Sequence, residues 1–426
     1  MNYKKMIVDT MNDIYSNSLT TSSGGNISLI DKDGNIFISP SGLDKGALRE
    51  DLICIVDSNG NNLSKYKPSM ELPFHSKIYR IRKDVAAVVH THSPYLTAYS
   101  LIDGAPETKI SYFHYKSNNS IAKAGYDIPG SIELGDKICK KIEEGYDSVM
   151  MRNHGAVVIG KNMPDTYRKM ESLEHCASIN VLAQSLGGVK TLTLEQLKSY
   201  QDKEENYSIS DINEIVDEDI EKAVSELKQY ANRCYNHEYF LSCMGVISVK
   251  VSGGMLITSR DCDRRDITNS GKYSGVTFIK DNKIYGEYPD MSWKLHLEIY
   301  KNSDMNSIFT ALPKYIGAYI AARSDIDSRT LPESYIMMRQ VLRYPALSDI
   351  ENKEKIAKNI TEVNPVAIID NSCVVCGGKT INKAFDRLEV CEATAKAYYI
   401  TKSIGKALNI EDKEIKKIED YFNLPL

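Results

Sequence analysis

The chain repeats itself, and this repeat limits its fold more than any other feature. Residues 25–29 read GNISL and residues 245–249 read GVISV. GNIFIS at 34–39 returns as GGMLIT at 253–258, and FHSKIYR at 74–80 as LHLEIYK at 295–301. Tyr95 and Tyr99 recur as Tyr315 and Tyr319, and RNHGAVVIGK at 152–161 recurs as DNSCVVCGGK at 370–379. Each of these last two segments leads into a helix-like run, where Tyr167, Met170, Glu171 and Glu174 match Phe385, Leu388, Glu389 and Glu392. Islands in the same order at one spacing of about 220 residues predict two copies of a single domain. The expected copies are residues 1–205 and 206–426, joined within the acidic, polar run at 201–220.

Each copy alternates helical and strand-like segments. Met6, Ile7, Met11 and Ile14 recur at helical spacing before Gly24 and Gly25 break the chain ahead of strands at 26–30 and 35–39. A helix carrying Phe74, Ile78 and Ile81 follows, then VAAVVHTH at 85–92, too continuously apolar for a half-exposed edge strand. SVMMRN, a His154-Gly155 turn, AVVIG and a long helix with Met170, Leu173 and Ala177 close the copy. The pattern is that of a layered α/β domain.

Basic residues are scattered and the net charge is −4, which excludes nucleic acid and an anionic membrane surface as partners. No run approaches the apolar length that spans a bilayer, and the polar, amphipathic N-terminal stretch lacks a signal-peptide pattern. Nine dispersed cysteines, an odd number, argue against a disulfide framework and for a reducing, cytoplasmic setting. Cys373 and Cys376 form a single C-x-x-C and read as buried structural thiols.

His90 and His92 lie two residues apart at the end of an apolar strand, so both project from one face and can grip one ion. An H-x-H pair alone is more often structural, so context decides. His154 sits in a turn that Gly155 permits, and Glu71 sits at a helix start beside Pro73, where it could equally complement the helix dipole. The repeat supplies an internal control. In the second copy His90, His92 and His154 align with Thr310, Leu312 and Ser372, and Glu71 aligns with Ser292. All four are lost together while His296 and Tyr300 still match His75 and Tyr79. Joint loss marks one functional unit, confined to the first half.

SGGNIS (23–28), SPSG (39–42), KPSMELPFH (67–75), AAVVHTHSPY (86–95), GSIEL (130–134) and RNHGAVVIG (152–160) resemble, in order, the class II aldolase/adducin family. The resemblance implies a three-layer α/β domain around a mainly antiparallel sheet, here present twice with a degenerate second copy. It implies Zn2+, or another divalent transition metal, on His90, His92 and His154, with Glu71 as acid/base and a ligand in the empty site. It places phosphate contacts on Asn26, Ser41, Gly42 and Ser69, and a proton donor to the leaving aldehyde on Tyr115, with Tyr112 an equal candidate. Met70 stands where aldolases often carry a second serine, so one hydroxyl donor is missing. The expected activity is reversible cleavage of a ketose 1-phosphate, or a similar sugar phosphate, into dihydroxyacetone phosphate and an aldehyde. The same metal set also serves epimerases, dehydratases and decarboxylases. A scaffold without enzymatic activity, like an adducin head, is the alternative of another class. A homo-oligomer is expected, a dimer imitating a tetramer, with the second domain standing in for a neighbouring subunit.

Overall fold

In a computed structural model, residues 2–204 and 207–424 are described. They form two compact units: Met1–Thr108 with His114–Val181, and Lys109–Phe113 with Leu182–Leu426.

The first unit runs α1 (Tyr3–Ser16), β1 (Asn26–Ile30), β2 (Ile36–Ile38), β3 (Cys54–Val56), α2 (Leu72–Ile81), β4 (Ala87–Thr91) and α3 (Pro94–Ser100). It continues with α4 (Tyr112–Asn118), β5 (Ala122–Ala124), α5 (Ile132–Glu143), β6 (Ser148–Met151), β7 (Gly155–Gly160) and α6 (Met163–Ala183). The sheet order is β3-β2-β1-β4-β7-β6-β5, antiparallel except for β5 beside β6. Alternation along the strands sorts side chains into two cores. Ile27, Leu29, Ala87, Val89, Ala156 and Val158 face Met11, Leu96 and Met170 of α1, α3 and α6. Val88, Val149, Val157 and Ile159 face Phe74 and Ile78 of α2 and Ile138 of α5. This is a three-layer sandwich, with both faces covered as the unbroken apolar strands require. His90 lies on the α2 side, in step with Val88.

The second unit opens with α7 (Leu194–Gln201), β8 (Ile209–Ser210), α8 (Glu218–Asn236), β9 (Val246–Val251), β10 (Gly254–Thr258), β11 (Val276–Lys280), β12 (Lys283–Tyr285) and α9 (Trp293–Asn302). Then come β13 (Ser307–Ala311), α10 (Lys314–Ala322), α11 (Pro332–Met338), β14 (Leu342–Tyr344), α12 (Ser348–Glu351), α13 (Lys353–Asn359), β15 (Val366–Ile369), β16 (Cys373–Gly378), α14 (Ile381–Ile404) and α15 (Asp412–Tyr421). Its order, β14-β15-β16-β13-β9-β10-β11-β12-β8, repeats that of the first sheet and adds two short strands at the edge. The aldolase-like three-layer fold is therefore present twice.

Sequence spacing assigns residues 109–113 and 182–204 to the first copy, yet they pack within the second unit. Leu182 and Ala183 bury against Ala318 and Ala322, and the Tyr200 ring stacks on Tyr112 at 5.5 Å. A repeat locates where a copy's sequence ends, not where its last helix docks. All nine cysteines are free. Among the described residues no helix is long and apolar enough to cross a membrane.

Candidate metal centre

β1 and β4 pair with Asn26 directly opposite His90. The end of β4, the start of α2 and the turn between β6 and β7 then converge. The nitrogens that His90, His92 and His154 can offer lie within 4.8 Å of one another. Their ring centroids are 4.8, 4.9 and 5.0 Å apart. Glu71, at the cap of α2, brings Oε2 to 3.3 Å from His90 Nε2 and Oε1 to 3.5 Å from His154 Nε2. The geometry thus brings together all four residues singled out by their joint loss from the second copy.

Two glycines make room for this approach. A Cβ on Gly155 would lie 2.4 Å from the Thr91 carbonyl oxygen and 3.0 Å from the His92 ring; one on Gly24 would lie 2.8 Å from His92 Nδ1. The second copy has Cys373 and Met244 at these places. Asn153, just before His154, has φ +55°, a left-handed conformation that asparagine tolerates better than most residues.

Burial holds His90, His92 and His154 in the neutral form, each pushed down to about 4; the nearby imidazoles add to this at His92 and His154. His90 Nδ1 donates to the Ala156 carbonyl at 2.9 Å, which fixes its tautomer and leaves the Nε2 lone pair aimed at the centre. Three neutral imidazoles beside a carboxylate form a donor set for a divalent transition metal such as zinc. One buried atom at this centre, Glu71 Oε1, has no hydrogen-bond partner, as expected where a further ligand belongs.

Glu71 is held from behind. Asn26 Nδ2 donates to Glu71 Oε2 at 2.7 Å, and His75 Nε2 lies 2.6 Å from Asn26 Oδ1. Since that oxygen only accepts, His75 donates from Nε2 and accepts at Nδ1 from Ser28 Oγ at 2.7 Å. Ser28 Oγ in turn lies 2.7 Å from the Tyr79 hydroxyl, its remaining donor. The chain Tyr79–Ser28–His75–Asn26–Glu71 runs through the α2 side of the sheet. Sequence reasoning missed its role, although the signal was there: Ser28, His75 and Tyr79 all recur. In the second copy Ser248 Oγ meets His296 Nδ1 at 2.8 Å and the Tyr300 hydroxyl at 2.6 Å. There the chain ends on Thr310 Oγ1, 3.3 Å from His296 Nε2.

Of the expected phosphate residues, Asn26 and Ser69 touch Glu71. Ser41 N donates to the Lys67 carbonyl and Ser69 N to the Ser39 carbonyl, tying the 39–41 and 67–69 loops together. Ser69 Oγ accepts from Glu71 N at 3.3 Å. Gly42 has φ +69° and open space where a Cβ would be. Asn26 is turned toward Glu71 and His75. Tyr115, half-buried on α4, belongs to the first unit and Tyr112 to the second. Neither joins the network around Glu71. His75 and His175 are buried, the latter 3.0 Å from the buried His114.

A layered domain present twice, with a possible metal-ligand set in the first copy, defines the class, and comparison supplies its family. The family model described as "Class II Aldolase and Adducin N-terminal domain" matches residues 5–181 and again 225–399, so the chain belongs to the class II aldolase and adducin family. L-fuculose phosphate aldolase of Methanococcus maripaludis is 40% identical over 179 residues, 41% of this chain and 93% of the relative. 3-Oxo-tetronate 4-phosphate decarboxylase of Pectobacterium atrosepticum is 34% identical over 169 residues, 39% of this chain and 77% of the relative. A solved L-fuculose 1-phosphate aldolase is 27% identical with a TM-score of 0.44, covering 47% of this chain and 95% of that one.

Proposed function

We propose that the first unit is a zinc-dependent, cytoplasmic aldolase. It reversibly cleaves a ketose 1-phosphate or similar sugar phosphate into dihydroxyacetone phosphate and an aldehyde. The observation that carries this reading is the convergence of Glu71, His90, His92 and His154 on one centre, within the first of the two segments that match the family model.

His90, His92 and His154 hold the zinc, which when bound supplies Lewis acidity for the negative charge left by carbon–carbon cleavage. Glu71 moves the proton at carbon. Its place is set by Asn26 on one oxygen and the Ser69 contact to its backbone. Ser41, Gly42 and Ser69 receive the phosphate on loops rich in N–H and hydroxyl donors, and the free N–H of Asn26 can add to them. Tyr115 takes the proton from the hydroxyl that becomes the aldehyde carbonyl in cleavage, and returns it to that oxygen in the reverse, condensation direction. The second unit, with Ser292, Thr310, Leu312 and Ser372 in place of the four, serves as scaffold, and the chain acts as a homo-oligomer.

A decarboxylase reading is favoured by one finding, the decarboxylase relative at 34% identity. Incubation with a panel of ketose 1-phosphates and phosphorylated 3-oxo acids, scoring aldehyde against carbon dioxide, separates the two. Glu71→Gln is expected to abolish turnover of the accepted substrate while the metal stays bound. Near-normal rates in that variant would overturn the assignment.

A further inference from the structure

Within the second unit, one face of α10 is covered. Leu182 and Ala183, with Leu186 and Val189, pack on Ala318 and Ala322. Lys190 N donates to the Ala321 carbonyl at 2.7 Å. Asn371 Nδ2 donates to the carbonyls of Ile110 (3.1 Å) and Lys190 (2.6 Å). Tyr200 donates its hydroxyl to Asp349 at 2.9 Å.

The repeat gives the same face in the first unit. Ala318, Ala321, Ala322 and Asn371 correspond to Ala98, Leu101, Ile102 and Asn153. Leu347 (φ +72°) corresponds to Gly130 (φ +81°), so Asp349 corresponds to Ile132. Here the face is bare: Leu101 is 60%, Ile102 55% and Ile132 69% exposed. Where the covered face has Ala321 and Ala322, the bare one has the larger and more apolar Leu101 and Ile102.

The covering segment also has a counterpart. Gly187 matches Gly405, so Leu182, Leu186, Lys190 and Tyr200 match Ile400, Ile404, Leu408 and Ile418. A shared hydrogen bond checks this register: Leu192 N donates to the Lys109 carbonyl at 2.8 Å, and Ile410 N to the Arg329 carbonyl at 2.9 Å. Ile404 and Leu408 are 80% and 84% exposed. Single exposed apolar residues are ordinary, but clustered ones mark interaction sites.

We propose that residues 400–422 of one chain dock on the face formed by Ala98, Leu101, Ile102, Ile132 and Asn153 of a second copy of this chain. Each chain carries one bare face and one tail that is tied to its own unit through Asp412 and Glu419 but leaves Ile404 and Leu408 bare, so a second chain can supply the partner each lacks. Position by position, the Tyr200–Asp349 contact is replaced by Ile418 on Ile132, and Leu408 N meets the Leu101 carbonyl. The docked tail also borders the metal centre, because Gly130 lies against the carbonyl of Met70, next to Glu71. This inference does not depend on the reaction proposed above.

Sedimentation of the full-length protein at micromolar concentration tests it. The native chain is expected to run as an assembly of at least two chains. Ile102→Asp and Leu408→Asp are each expected to run as single chains with unchanged thermal melts, because both side chains face solvent in the isolated chain. Chains carrying Leu101→Cys, mixed with chains carrying Leu408→Cys under mild oxidation, are expected to cross-link into pairs. A native protein that runs as a single chain, an assembly that survives either aspartate, or no cross-linked pair would overturn the proposal.

Discussion

Asn26 uses both ends of its amide: its nitrogen steadies Glu71, and its oxygen is tied to His75. Valine stands there in the second copy, so Asn26→Val leaves the carboxylate without a positioning donor. Turnover is expected to fall on the order of 10–100-fold, with metal content by elemental analysis near that of the native protein. The histidines set a pH dependence for the metal-free protein. Burial pushes His90 down from its ordinary 6.5 to about 4 in the folded chain, so between these values the unfolded chain binds protons that the folded chain excludes. Stability is therefore full above 6.5 and declines as pH falls toward 4, which melting temperatures of apoprotein will follow. Were they flat over that range, the histidines would be less buried than described. At this scale the three imidazoles and Glu71 were legible, since the repeat exposes their joint loss. The hold of Asn26 on Glu71 was not, because an asparagine beside glycines reads equally well as a phosphate contact.

At the scale of elements, α3 begins directly after His92 and is capped from a distance. Glu174 on α6 accepts from the backbone N–H groups of Tyr95 (2.8 Å) and Leu96 (2.9 Å) and from Ser93 Oγ (2.8 Å). Glu392 repeats the device at Tyr315 and Ile316, although no metal ligand stands beside it, so its first role is to start a helix. Glu174→Ala leaves buried donors unsatisfied and is expected to cost about 1–3 kcal/mol in denaturant unfolding. It is also expected to weaken metal retention, since the cap fixes the segment that follows His92. The matched pair of glutamates could be read from the repeat; their partners, some eighty residues away in sequence, could not. Strand positions were close to expectation, with β2 shorter at Ile36–Ile38 than the stretch 35–39 that its apolar alternation suggests.

For the whole molecule, one copy carries a cluster able to hold a metal and the other, among the described residues, does not. The full chain is therefore expected to bind one zinc ion, and His90→Ala with His92→Ala should reduce this to none. Elemental analysis of the intact protein reads both, and two ions per chain would reveal a centre in the second unit. The duplication was legible because matching islands recur at one spacing, and the layered α/β character because apolar runs alternate between helical and strand spacing; the strand order was not, since no sequence signal says which strands pair. The docking of residues 182–204 was not, since short amphipathic helices do not declare which neighbour they cover.

The tight fit around Gly155 makes the loss of chemistry in the second copy hard to reverse. Restoring glutamate at Ser292 and histidines at Thr310, Leu312 and Ser372 would still leave Cys373 where a bare α-carbon must pass a carbonyl oxygen, and Met244 where a ring needs space. Grafting the four ligands back would give a protein that folds yet holds no ion there. The obstacle in the second unit is thus one of space at Cys373 and Met244 as much as of missing donors at the four ligand positions.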